Sequence, residues 1–366
     1  LSRSSQTLEE AARIQGASSW EVLTRVTLPL LRPAIAAGLA VVVLHVLSDF
    51  GAVSMLRFQT FTLSIYLQMS GRFDFQGAAG LSLILVILSL TFLIVERFFR
   101  KRQRYYAGSQ TRPVRTKQAT PRETLAIWAW IGVIALFSFL LPLAWMIAWS
   151  WEAWIDKLIG SEFLTYSRNS ITVAFIAGCL AVILALPVAL YHTRKRSMLS
   201  NTYLQLSSVG FVLPGPVVAL GIMTFVITLL PGVYAMGGIS MLAMALVIRF
   251  LPLSVQSQES SLQQLTPSIE QAGRVLGAGP FENLWRVTLP MIRTGLTTAF
   301  VLVFIDALKE LPATLLLRPT GFDTLPVRIW IEASEEMLEL AAPAALMLVI
   351  GTLPALWIMM RNEKSN

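Results

Sequence analysis

The charged side chains of Asp49, Asp306, Lys309 and Glu310 stand within long apolar stretches of this 366-residue sequence, and Arg249 stands nearer the end of another. A charge inside a membrane-spanning helix is costly, so such residues usually face protein or a water-filled path. In one interpretation, Asp49 and Glu310 line a central path for a solute. In the other, these carboxylates pair with Lys309 or Arg249 and hold helices together. The spacing of three and four residues predicts that Asp306, Lys309 and Glu310 share one helix face.

A proline-rich segment, LPGP at residues 213–216, interrupts another apolar stretch. Proline removes helix hydrogen bonds, so Pro214 predicts a broken or kinked helix at this point. Irregular backbone in a membrane is tolerated where it is buried in protein or lines a cavity. The backbone at Pro214 and Gly215 is therefore expected either to face the same path or to form a packing kink.

Sequence patterns of common catalytic sites are missing. The sequence has no G-x-x-x-x-G-K-[ST] phosphate loop and no H-E-x-x-H motif, and it contains only two histidines. The single cysteine, Cys179, excludes a disulfide framework and a cysteine-based metal site. We therefore expect a protein that is not an enzyme, with no catalytic residue, no metal site and no cofactor.

The composition indicates a membrane protein. Hydrophobic residues make up 55% of the chain and charged residues only 14%, and the mean hydropathy is +0.65; soluble domains have about 25% charged residues. Runs of about 20 apolar residues predict membrane-spanning helices. Eight such runs occur, at about 34–56, 79–99, 125–149, 169–191, 203–230, 234–253, 294–317 and 340–360. The expected fold is an all-α, polytopic transmembrane helical bundle.

The basic residues predict the orientation of these spans. Most of the 29 Lys and Arg fall in one set of alternating segments, 1–33, 97–124, 192–202, 254–293 and 361–366. Cytoplasmic loops carry an excess of Lys and Arg, so this set and the C-terminus are expected in the cytoplasm. The net charge of +8 is then a membrane feature and does not indicate nucleic-acid binding.

An internal repeat is the most informative feature. Residues 9–32, EEAARIQGASSWEVLTRVTLPLLR, match residues 270–293, EQAGRVLGAGPFENLWRVTLPMIR, without gaps. The register continues into the next apolar run, where Asp49 corresponds to Glu310. Duplicated halves are a recurring plan of transporters.

The repeat predicts how the chain is organised. Residues 1–99 are expected to be the C-terminal part of a first half, 100–124 a basic cytoplasmic linker, and 125–366 a complete second half of six spans, with the loop that contains the second repeat at about 254–293. A first half as long as the second would contain roughly four more spans. We therefore expect an N-terminally truncated form of a duplicated protein.

The repeated segments resemble the cytoplasmic EAA loop of permease subunits in binding-protein-dependent ABC importers. That pattern is E-A-A, three residues, Gly, nine residues, a β-branched residue, one residue and L-P. The first copy fits it, whereas the second departs at Gln271 and Gly273, with Glu270 one position earlier. The resemblance implies a MetI-like ABC importer permease architecture and a docking site for a separate ATPase. The residues implied in coupling are Glu9, Glu10, Ala11, Ala12, Gly16, Pro29, Glu270, Gln271, Ala272, Gly273, Gly277 and Pro290.

Two further segments narrow the resemblance. Residues 48–66 (SDFGAVSMLRFQTFTLSIY) and 306–330 (DALKELPATLLLRPTGFDTLPVRIW) are similar to the two-half permeases of ferric-iron importers. The implied partners are two ABC ATPase subunits, a periplasmic substrate-binding protein and the lipid bilayer, and the implied location is a bacterial inner membrane. Thiamine, phosphonate and other small-solute permeases share the duplicated plan, so these substrates stay open. A gradient-driven secondary carrier is a further alternative, although a carrier has no need of two docking loops.

Overall fold

The computed structural model describes residues 6–101, 120–195, 197–210, 212–232 and 238–364. Every regular element in these ranges is helical, which agrees with the predicted all-α class. The first six helices are α1 (Gln6–Ile14), α2 (Ser19–Val22), α3 (Leu28–Ser48), α4 (Gly51–Met55), α5 (Phe61–Ser70) and α6 (Phe75–Lys101). The others are α7 (Pro121–Ala135), α8 (Leu141–Ile155), α9 (Glu162–Arg194), α10 (Met198–Val209), α11 (Gly215–Leu229), α12 (Gly238–Gln264), α13 (Pro267–Val275), α14 (Pro280–Asn283), α15 (Leu289–Met291), α16 (Arg293–Leu308), α17 (Pro312–Leu317), α18 (Leu325–Ser334) and α19 (Leu338–Lys364).

Five described helices are long and apolar enough to cross a membrane, or six if a helix pair bent by 72° counts as one span. The five include α6, α9, α12 and α19, together with the continuous helical segment from Pro121 to Ile155. The bent pair is Pro280–Met291 with Arg293–Leu308. The predicted count of eight is therefore not confirmed.

Two predicted spans are interrupted in the structure. The predicted span 203–230 is divided between α10 and α11, because the helix ends at Val209 and a new one begins at Gly215. This break confirms the effect predicted for Pro214. The predicted span 34–56 ends as a helix at Ser48 and restarts at Gly51.

The predicted common helix face of Asp306, Lys309 and Glu310 is wrong. Helix α16 ends at Leu308, and Lys309 is its C-terminal cap. Glu310 lies in the break that precedes α17. The reason is Pro312 at the start of α17, because proline has no N–H to continue a helix and disfavours helical backbone in the residue before it.

Three π-helical turns, Leu23–Thr27, Leu136–Leu140 and Leu284–Thr288, each stand directly before a Leu-Pro pair. A proline inside an α-helix cannot donate its backbone hydrogen bond, and its ring collides with the carbonyl four residues earlier. A wider turn separates these groups and lets the helix continue. Single π-turns are rare among helices, and those that occur are often found at functional sites.

The chain divides into two compact units, Leu1–Leu47 with Leu85–Leu141, and Ser48–Ile84 with Pro142–Asn366. In the second unit, α9, α12 and α16 pack against one another. Ala174, Ala177 and Ala181 are fully buried on α9, and such small side chains let membrane helices approach closely. The predicted boundaries at 99 and 124 follow the duplication and stay a prediction. Residues 102–119 of the predicted basic linker lie outside the described residues.

Candidate functional site

The first repeated segment folds into a helical elbow, which we define as residues 6–32. Helix α1 ends at Ile14, the chain turns at Gly16 with φ of 87°, and α2 begins at Ser19. Ser18 caps α2 in a capping box: its backbone N–H donates to the Glu21 carboxylate, and its hydroxyl accepts from the Glu21 backbone N–H. The pKa of Glu21 is lowered, mainly by the hydrogen bond from the Ser18 backbone N–H and next by the one from the Ser18 hydroxyl. Gly16 therefore provides the turn between the two helices of the first elbow.

The second repeated segment forms the same elbow from residues 267–293. Helix α13 ends at Val275, Gly277 has φ of 92°, and α14 begins at Pro280. A positive φ of this size is comfortable for glycine and costs other residues roughly 1–2 kcal/mol. The turns at Gly16 and Gly277 therefore have the same physical cause in both copies.

The predicted coupling residues divide into inward and outward sets. Glu9 and Glu270 are half-buried and form hydrogen bonds within their own elbows. Ala11, Gln271 and Ala272 are exposed, and Ala12 is half-exposed. Glu10 lies in α1, and its side chain is outside the described part. Pro29 and Pro290 directly follow the π-turn junctions.

The departure of the second copy at Gly273 has a local explanation. A Cβ at Gly273 would lie 2.6 Å from Oδ1 of Asn283, which is closer than real Cβ contacts allow. The amide of Asn283 donates a 2.8 Å hydrogen bond to the carbonyl of Glu270. Asn283 therefore braces the second elbow, and the glycine makes room for it. The first copy has Ala12 and Val22 at the corresponding positions.

Both elbows expose large apolar side chains at corresponding positions. Ile14 is 86% exposed and its counterpart Val275 is 87% exposed. Trp20 and its counterpart Phe281 are also exposed. We define these four side chains as the apolar row. Exposed aromatic residues at a recurring position are typical of a surface that buries them against another protein.

The carboxylate of Glu310 is the centre of a buried polar cluster. Its side chain is 1% exposed and accepts a 2.5 Å hydrogen bond from Nη1 of Arg249. It also accepts from the backbone N–H groups of Ala313 and Thr314 and from the Thr314 hydroxyl, each at 3.1 Å. Arg249 is therefore the partner that the structural interpretation named for Glu310.

Gly215 completes this cluster by leaving space for it. A Cβ at Gly215 would lie 2.7 Å from Nη1 of Arg249 and 2.8 Å from Oε1 of Glu310. The carbonyl of Pro214 accepts hydrogen bonds from the N–H groups of Val217 and Val218. The backbone at the start of α11 thus packs closely against the ion pair. The Pro214 carbonyl has its hydrogen-bond donors within α11.

The other predicted path residues make polar contacts of their own. Asp49 occupies the break before α4, and its Oδ2 accepts a 3.3 Å hydrogen bond from the Val53 N–H. Its duplicate Glu310 bonds the corresponding position of α17. Asp306 pairs with Lys309 at 2.7 Å, and the Lys309 side chain is 59% exposed. Among the described residues, no group of three or more His, Cys, Asp or Glu is placed to hold a metal ion.

Sequence reasoning missed the polar residues that face inward in each elbow. Thr27 and Thr288 are buried and were not singled out, although both stand in the identical RVTLP stretch of the two copies. A polar residue retained in both copies beside apolar neighbours was the available signal. Asn283 carried no such signal because the first copy has Val22 there.

Known proteins similar to this chain are membrane permeases. The Fe(3+)-transport system permease protein FbpB 2 of Haemophilus influenzae is 32% identical over 96% of this chain and 70% of that protein. The ferric transport system permease protein FbpB of Actinobacillus pleuropneumoniae is 23% identical over 85% of this chain and 48% of that protein. This chain therefore spans only part of the length of both relatives.

A solved structure shows the same fold. The crystal structure of a bacterial ABC transporter involved in the import of the acidic polysaccharide alginate aligns with a TM-score of 0.50 and 14% identity, over 67% of this chain and 95% of that one. The family described as the inner membrane component of binding-protein-dependent transport systems matches residues 1–105 and 177–365. This chain belongs to that family, the permeases of ABC importers.

Proposed function

We infer that this chain is the translocating subunit of an ATP-driven importer and that its two elbows dock onto two ATPase subunits in the cytoplasm. The observation that carries this inference is the apolar row, presented twice by elbows of the same geometry. An apolar helix surface of this kind suits a groove on a partner protein. ATP hydrolysis then belongs to the separate partner, since this sequence has no phosphate loop.

The substrate that we assign is ferric iron delivered by a periplasmic binding protein. This assignment is supported by the two relatives named for ferric transport. It is also supported by the similarity of residues 48–66 and 306–330 to that group. The family description favours an inner-membrane location, and the distribution of Lys and Arg favours an orientation with both elbows and the C-terminus in the cytoplasm.

For the translocation path, we assign the solute-facing role to Asp306 and Lys309. Their charges are partly exposed near the end of an otherwise apolar helix, and a charge facing lipid would be costly. Asp49 borders the same path from the first half. Glu310, Pro214 and Gly215 shape the wall of this path.

The assignment of Asp306 and Lys309 is tested by a double variant. Asp306→Asn together with Lys309→Gln is expected to lower uptake in membrane vesicles without lowering the amount of inserted protein; unchanged uptake contradicts the assignment.

The docking role is tested by co-purification of the complete transporter. Trp20→Asp combined with Phe281→Asp is expected to reduce the recovered ATPase by about tenfold, because buried aromatic anchors dominate such interfaces. Phe58→Asp is the matched control, since Phe58 is exposed and lies outside both elbows. Full recovery of the ATPase with the double variant would refute docking through the apolar row.

A further inference from the structure

Each elbow contains an internal hydrogen bond between its two arms. In the first elbow, the Thr27 hydroxyl donates to Oε1 of Glu9 at 2.9 Å. In the second, the Thr288 hydroxyl donates to Oε1 of Glu270 at 3.4 Å. Both threonines are buried. We call this pair of corresponding contacts the clasp.

The π-turns explain why these threonines reach the first arm. Thr27 and Thr288 are the last residues of their turns. Each turn is closed by a backbone bond spanning five residues, from the N–H of Leu28 to the carbonyl of Leu23 and from that of Leu289 to that of Leu284. One extra residue in a turn rotates the following residues by roughly 100° relative to an α-helix. The turn thereby sets which side chain faces the first arm.

The third π-turn shows that the clasp is not a by-product of a Leu-Pro pair. That turn, Leu136–Leu140, also precedes a Leu-Pro pair, yet it ends in leucine and its last side chain is exposed. The π-turn therefore follows from the proline, whereas the clasp requires threonine and glutamate at set positions.

We propose that the clasp holds the two arms of each elbow in a fixed arrangement, so that movement of a docked ATPase is passed through the second arm to the helix that continues from it, α3 in the first copy and, across a 72° bend, α16 in the second. This proposal rests on the proposed function. Thr27 and Thr288 are then positioning residues, which act through Glu9 and Glu270 and not through contact with the solute or with the ATPase.

The two contacts of the clasp differ in length and in their surroundings. Glu270 also accepts hydrogen bonds from Nη2 and Nε of Arg194, at 2.6 and 3.1 Å. For Glu9, the structure gives the bond from Thr27. Loss of the hydroxyl in the first elbow is therefore expected to matter more than the same loss in the second.

The test uses the complete transporter with its ATPase and binding protein in proteoliposomes. Thr27→Val, which keeps the volume and removes the hydroxyl, is expected to lower the solute imported per ATP hydrolysed by about fivefold, as the loss of one buried hydrogen bond suggests. Thr288→Val is expected to have a smaller effect, and Thr27→Ser to restore the wild-type ratio. The matched control is Thr24→Val, because the Thr24 hydroxyl donates to the nearby Trp20 carbonyl and not to the first arm in the described part of the elbow.

The amount of ATPase bound to each variant separates the two proposals. A wild-type chain that recovers no ATPase refutes the proposed function. If Thr27→Val retains its ATPase and also the wild-type ratio of import to hydrolysis, the clasp has no transmitting role. A drop of the same size in Thr24→Val, or a failure of Thr27→Ser to restore the ratio, likewise overturns it.

Discussion

Gly215 illustrates how one missing side chain organises the buried polar cluster. Arg249 and Glu310 come from α12 and from the break before α17, and both atoms of their contact lie within 3 Å of the position that a Gly215 Cβ would occupy. Breaking a buried pair is costly because the remaining charge is uncompensated. The fit between Gly215 and this pair therefore connects three segments of the second unit.

The prediction at this scale is a pair of glycine substitutions in α11. Gly215→Ala is expected to lower the stability of the protein by about 1–3 kcal/mol, because overpacking displaces the ion pair. Gly221→Ala is the matched control, as no atom lies within 4 Å of its Cβ position, and alanine favours a helix. Thermal unfolding of both variants in detergent measures the difference; equal melting temperatures would contradict this account of the cluster.

Single residues show where sequence reasoning succeeded and where it failed. The turns at Gly16 and Gly277 were predictable, because a glycine retained in both copies of a polar repeat indicates a backbone constraint. The pairing of Glu310 was left as one of two alternatives. Its partner Arg249 lies 61 positions away in sequence, and no local pattern specifies such a contact.

At the scale of elements, the elbows depend on a left-handed turn between two short helices. Gly277 has φ of 92° and Gly279 has φ of −63°. Neither has an atom within 4 Å of its Cβ position. The two positions therefore differ in backbone conformation and not in available space.

This difference gives a prediction for the second elbow. Gly277→Ser is expected to reduce transport and to destabilise the elbow by about 1–2 kcal/mol, because serine resists a positive φ. Gly279→Ser is expected to be neutral or stabilising, since serine is favoured as an N-cap and Ser18 has that role in the first elbow. Protease sensitivity of the elbow, measured alongside uptake, distinguishes the variants. Equal behaviour of both would show that the turn geometry is unimportant.

The helix breaks were only partly predictable from the sequence. Hydropathy averages over about 20 residues, so it joined α16 with α17 and α3 with α4 into single spans. Pro214 correctly predicted the break between α10 and α11. Pro312 also indicated a helix break, but the apolar residues around it led to the prediction of one continuous span. Gly51, at the corresponding position of the first copy, indicates a break less strongly than proline does.

At the scale of the whole molecule, the two halves predicted from the repeat do not coincide with the compact units. Phe50, from the predicted first half, packs with Leu311 and Val327, from the predicted second half, in one buried cluster. Trp330 donates a 3.0 Å hydrogen bond to the Ser54 hydroxyl. The repeat predicted two halves, but contacts between them depend on tertiary packing that a repeat does not encode.

The account depends most on both elbows facing the cytoplasm and meeting an ATPase there. Ile14 and Val275 are corresponding, exposed positions, and Cys179 is the only native cysteine. In a Cys179→Ser background, Ile14→Cys and Val275→Cys can each be labelled with a membrane-impermeant maleimide in right-side-out and inverted vesicles. We expect both to react only in inverted vesicles, and to be protected when the ATPase is bound. Labelling of the two positions from opposite sides, or no protection at either, would contradict the account.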